Sequence, residues 1–198
     1  MPNIAKIPVD APLSLPKEIA GLIEPLLGIP TWQVFKSAGS ILTMAFGTPS
    51  LQVGDVRPRV PTSEIEKFGP VQRRTYVKGE WSLRIDCCDW RLLNEESLMC
   101  HSESDGEALA DATYFLAGQS LKSIAMYTGT AGSVFDFDLG GKLITMPYPD
   151  EPEYDQWVLG LPDGRYLAIR ADQKYSIHAG DAHPDTHEWF EIWPKQIK

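Results

Sequence analysis

Hydrophobic and polar residues alternate with period two through much of this chain. Leu42, Met44 and Phe46 alternate with Thr43 and Ala45, and Phe135, Phe137 and Leu139 alternate with Asp136 and Asp138. Trp81, Leu83, Ile85 and Trp157, Leu159, Leu161 repeat the pattern. Such alternation places one side of a strand in a core and the other in water. Two segments show helical spacing instead. Ile19, Leu22, Ile23, Leu26 and Leu27 form an apolar stripe between Pro16 and Leu27, with Gly28 and Pro30 as stop signals. Leu109, Ala112, Phe115 and Leu116 form a second stripe ending at Gly118, and Ser104 with Glu107 has the spacing of a capping box. Gly140-Gly141 and Asp163-Gly164 separate alternating runs and suit tight hairpin turns, which demand positive φ.

The alternating runs come in corresponding pairs. Ala38-Gly39-Ser40 and Ala131-Gly132-Ser133 each precede a strand, at an offset of 93 residues. Trp81, Leu83 and Ile85 then match Trp157, Leu159 and Leu161 at an offset of 76, and His101 falls opposite His178. The pattern predicts an internal duplication: residues 16–101 and 104–178, each a helix plus four or five antiparallel strands, with a tail over 179–198. The expected fold is therefore α+β and mainly antiparallel β. Two pseudo-twofold repeats pack as a barrel or sandwich within one domain, 1–198. Leu42, Met44, Trp81, Phe135, Phe137 and Trp157 are the expected core. The segment from Gly54 to Val71, with Pro58, Pro61 and Pro70, reads as a long surface loop.

Charge narrows the function. Lys and Arg number 18 and Asp and Glu 27, a net charge of −9. Binding to phosphate backbones needs clustered cations, so nucleic acid is not the expected partner. Residues 1–100 carry 11 basic and 11 acidic side chains, and residues 101–198 carry 7 and 16, so the whole excess lies in the second half. That acidic half can be a solvated face or a docking surface for a basic partner. No run of 18 apolar residues predicts a membrane span, and the N-terminus does not read as a signal peptide. Three cysteines without a C-x-x-C suit a reducing cytoplasm.

Several groups are candidates for chemistry. His178, His183 and His187 lie near one another with Asp181, Asp185 and Glu188, and a His-x3-His pair can share a helical face and bind metal. Cys87 and Cys88 face opposite ways on a strand, so at most one joins a given site; packing is the plainer role for both. Asp136 and Asp138 share a strand face and can bind a cation or do acid-base work, or simply wet the sheet. Six tryptophans can line a groove or fill the core. No P-loop, dinucleotide fingerprint or nucleophile elbow is present, and no cofactor is expected.

The runs Gly79-Glu80-Trp81-Ser82-Leu83, Cys88-Asp89-Trp90-Arg91, Asp155-Gln156-Trp157 and Leu161-Pro162-Asp163-Gly164-Arg165 resemble stretches of bacterial proteins of unknown function, over most of residues 30–178. That resemblance implies neither an activity nor site residues. In architecture, two helices with about ten strands are similar to small-molecule-binding β-barrels. The leading expectation is a non-enzymatic bacterial binding protein that meets a basic protein through its acidic surface, as an immunity protein does. The alternatives are a barrel holding a small apolar ligand between the repeats, lined by Trp81, Asp136, Asp138 and Trp157, and a metal-dependent hydrolase built on His178, His183 and His187.

Overall fold

A computed structural model describes residues 13–37, 39–58, 71–148 and 150–193. The first half opens with β1 (Leu13–Ser14), α1 (Lys17–Ile23) and a 3-10 turn, Glu24–Leu26. It continues through β2 (Thr31–Lys36), β3 (Leu42–Phe46), β4 (Ser50–Pro58), β5 (Val71–Lys78), β6 (Trp81–Ile85), β7 (Cys88–Asn94) and β8 (Ser97–His101). The second half holds α2 (Gly106–Leu116), β9 (Leu121–Tyr127), β10 (Ser133–Phe137), β11 (Gly141–Pro147), β12 (Asp155–Gly160), β13 (Arg165–Arg170) and β14 (Lys174–Ala179). A 3-10 turn, Pro184–Thr186, and β15 (Phe190–Glu191) follow.

All strand pairs are antiparallel. One sheet runs β1-β9-β10-β11-β7-β8, another runs β15-β14-β13-β12-β6-β3-β2, and β4 pairs with β5 alone. Each half of the chain supplies strands to both large sheets. The chain leaves β6 in one sheet and enters β7 in the other; later it leaves β11 and crosses back into β12. β12 then seals against β6, and β7 against β11. Both large sheets are open, ending at β1 and β8 and at β15 and β2, so the expected barrel does not close.

The alternation explains the core. Leu42, Met44, Phe46, Trp81, Leu83 and Ile85 from one sheet meet Trp90, Leu92, Phe135, Phe137 and Leu143 from the other in one buried cluster. Trp157 is fully buried there, edge-on to Phe135 with centroids 5.6 Å apart. Fully burying a side chain of this kind contributes about 2–3 kcal/mol, so this cluster is what holds the two sheets face to face.

Several local expectations need correction. Helix α1 stops at Ile23, because Pro25 lacks the N–H that a further helical turn requires; a 3-10 turn finishes the stripe. The capping box before α2 does not form: Ser104 Oγ accepts instead from the His101 backbone N–H, and Asp105 is the N-cap without a side-chain bond. Strand β10 ends at Phe137, so Leu139 sits exposed in the turn rather than in the core. The expected loop from Gly54 is in part strand, since β4 runs to Pro58 and β5 starts at Val71; the rest of it, 59–70, lies outside the described residues. Both expected hairpin turns are present, with Gly140 and Gly164 at φ of 93° and 84°.

Candidate functional site

Strands β4 and β5 form an arm that belongs to neither large sheet. Its base is pinned. Trp32 gives its indole N–H to the Gly47 carbonyl at 2.9 Å, and Glu80 accepts from the Thr48 backbone N–H at 2.9 Å. Leu51 faces Val77, Val53 faces Thr75, Val56 faces Arg73, and Pro58 faces Val71. A bulge between Val53 and Val56 restores the phase, so Leu51, Val53, Val56, Val71 and Val77 share one face, together with Arg73 and Thr75. All five are exposed, at 67, 60, 52, 52 and 45 %. Gln52 and Tyr76 pair on the other face, with Arg74 on the same side of β5, and Tyr76 is 57 % exposed. The described arm carries Arg57, Arg73, Arg74 and Lys78 against Asp55 alone.

Helix α2 presents a different surface. It packs Ala112 and Leu116 inward and leaves Glu107, Asp111 and Tyr114 on one exposed stripe, at helical spacings of four and three. Tyr114 is 86 % exposed. From Ser102 to Leu121 the chain has four acids and no base.

The sequence-derived candidates scatter. Trp157 and Trp81 lie in the packed core on adjacent strands of one sheet, 0 and 6 % exposed. Trp157 donates to the Ser133 hydroxyl at 2.9 Å, and Trp90 donates to the Ser40 carbonyl. Asp136 and Asp138 are not a pair. Asp138, in the turn after β10, accepts from the Ser120 backbone N–H at 2.7 Å and so fastens the start of β9. Asp136 accepts from Ser123 Oγ at 3.2 Å. It lines a shallow depression of about 350 Å³ with Lys122, Gly141 and Lys142, which neither Trp81 nor Trp157 reaches.

Two of the three histidines meet. His178 and His187 stack with ring centroids 3.6 Å apart and planes at 17°. His178 projects from the outer face of β14 between Tyr166 and the tail, with Ser176 Oγ 3.3 Å from its Nδ1. Burial, then the neighbouring His187, pushes the His178 imidazole below its usual pKa. His183 stands apart, largely exposed, with Asp185 3.4 Å from its Nδ1. Among the described residues no three His, Cys, Asp or Glu side chains converge as metal ligands. The tail is further held by Arg170, whose guanidinium lies 4.4 Å from the Trp189 ring centroid, and by Trp193, which donates to the Thr130 carbonyl at 2.7 Å. Ile192 is buried, so the tail packs on the body as its aromatic content implies.

The thiols are held protonated. Burial pushes Cys88 well up, Cys100 is raised to about 11 by burial against a small opposing effect of Lys36, and burial with Asp86 raises Cys87. An activated nucleophile needs the opposite shift. An open cleft of about 500 Å³ lies between α1 and β9, walled by Leu15, Ala20, Ile23, Leu27 and Ile124 with Lys17 and Glu24 at its rim.

Sequence reasoning missed the arm. The signal was present in Leu51 and Val53 and in Val71 and Val77, but Pro58, Pro61 and Pro70 outweighed it. Comparison with known proteins finds no matching family model, no matching curated protein and no matching solved structure.

Proposed function

We propose that this chain is a non-enzymatic protein-binding protein that grips its partner with the β4–β5 arm. The apolar face of the arm carries this reading. Five aliphatic side chains stand in water on one face of a two-stranded ribbon, and a ribbon of that kind is marginal in water unless something covers it. The acidic second half, with Tyr114 on the α2 stripe, supplies a second face suited to a basic protein partner, the arrangement immunity-type neutralisation would use. The internal duplication expected from the sequence is part of this proposed scaffold, and the strand order is compatible with it. From the junction outwards one sheet reads β6-β3-β2 and the other β11-β10-β9, and the strands added across the junction are β12-β13 and β7-β8.

Native mass spectrometry of the protein gently purified from its host tests the proposal, beside a variant with Leu51→Ser, Val53→Ser and Val77→Ser. Added protein mass above 22.1 kDa that the variant loses is the expected result. A bare monomer for both at all concentrations overturns it. A second reading rests on the α1–β9 cleft, whose apolar wall suits a small apolar ligand. A mass increment of a few hundred daltons, retained in the arm variant and lost on Ala20→Trp, would favour it.

A further inference from the structure

We infer that the partner of the arm is a second copy of this chain, with each arm laid on the α2 stripe of the other copy. This deepens the protein-binding reading and rests on it. The described arm has four cations against one carboxylate, a charge of +3, whereas the whole chain carries −9, so the remainder carries −12. The arm is therefore the basic, apolar exception on an acidic molecule, and its complement is present on the same chain. Along α2, Glu107 and Asp111 precede the exposed Tyr114 on the same stripe, within a stretch that holds no base. Only Glu107 lies in the first turn, where it complements the helix dipole. Asp111 and Tyr114 lie beyond it.

Placement makes the exchange reciprocal. Helix α2 ends beside β2, where Gly118 N–H donates to the Thr31 carbonyl at 2.7 Å. Thr31 pairs with Phe46, and the chain enters the arm one residue later at Gly47, which accepts from Trp32. The C-terminal end of α2, with Tyr114, and the root of the arm thus lie at one end of the molecule. A two-fold axis at that end brings each arm over the α2 of its mate, with Leu51, Val53 and Val77 toward Tyr114 and Arg73, the cation on that same face, toward Glu107 and Asp111. Closed two-fold pairs are the commonest assembly, and an arm exchange of this kind uses the same contact twice.

Sedimentation at low and high salt reads the outcome. The wild type is expected at twice 22.1 kDa at low salt, with a weaker dimer at high salt. Glu107→Lys with Asp111→Lys, and separately the triple serine arm variant, are each expected as monomers with unchanged circular dichroism. An equimolar mixture of the two variants is the sharper experiment. It retains one intact arm and one intact α2 across the pair, so a heterodimer reappears, at least tenfold weaker than the wild-type dimer. Three results overturn the inference. A wild type that stays monomeric but carries a different protein leaves the protein-binding reading standing without it. A dimer that survives Glu107→Lys with Asp111→Lys shows arms packing on each other. Binding of the monomer to anionic vesicles, lost in the arm variant, shows a lipid surface as the occupant.

Discussion

The rings of His178 and His187 lie 3.6 Å apart, face to face, joining the last long strand to the tail that folds over it. Two imidazolium rings cannot keep that spacing without strong repulsion, so the contact favours the neutral form, and burial of His178 adds to the preference. The folded pKa of His178 lies below its unfolded value. The stability it lends is therefore present above about pH 6.5 and is lost as pH falls through the folded pKa. Other charges nearby are Arg170 under Trp189, its partner Asp172, and Asp155, whose carboxyl burial pushes upward against the pull of Arg84. Hydrogen exchange should show amides of residues 187–193 losing protection between pH 7 and pH 5, ahead of β12 and β13. His178→Gln should flatten that dependence. An unchanged profile in the variant would exclude the stack as its cause.

Trp157 ties both sheets. Its ring meets Phe135 across the core and its N–H reaches Ser133. Trp157→Ala is expected to cost about 3–5 kcal/mol in urea unfolding. Trp157→Phe should cost about 1–3 kcal/mol, because the ring contact survives while Ser133 loses its donor. Equal losses in the two variants would mean that the hydrogen bond, not the packing, dominates.

Asp138 fastens the start of β9. Asp138→Ala removes the acceptor of the Ser120 N–H and should lower stability by about 1 kcal/mol, while leaving the oligomeric state untouched. Asp136→Asn keeps a hydrogen-bonding partner for Ser123 and should be nearly neutral. Loss of assembly in either variant would return the two carboxylates to the list of binding residues.

Gly79 closes the base of the arm. A Cβ there would lie 2.6 Å from the Phe46 carbonyl oxygen and 2.8 Å from that of Trp81. Both are backbone atoms of paired strands and cannot swing aside. Gly79→Ala should destabilise by about 1–3 kcal/mol and raise the exchange of arm amides first. Gly164→Ala, in open space but at φ 84°, tests turn strain alone.

Much of the fold was legible in residue order. The inward runs Leu42-x-Met44 and Trp81-x-Leu83-x-Ile85 are strands because their period is two and one face has a core to enter. Gly28 and Gly118 end their helical segments with positive φ, as their place after the stripes implies. What alternation does not carry is the partner of each strand. Trp81 and Trp157 have the same spacing pattern, yet their strands turn out to be antiparallel neighbours in one sheet, with Trp157 opposite Ile85, because pairing depends on crossovers at Asp86 and after Pro147. The candidate surfaces were harder. An exposed apolar strand such as β4 has no inward face to impose a clear period, and its bulge breaks the alternation between Val53 and Val56. His178 and His187 meet only because the tail turns back, which no local spacing records.

The crossing of the chain between sheets also bears on how the protein is made. When β6 leaves the ribosome it can pair with β3, but its other neighbour, β12, is still roughly seventy residues from being synthesised. Strand β7 likewise gains β8 early and waits for β11. A nascent chain of the first hundred residues therefore holds two strands, each with one edge open and apolar residues beneath it, the combination that recruits chaperones and seeds aggregates. Messages truncated near the end of β8 should accordingly yield insoluble product, whereas the complete chain closes both seams by itself.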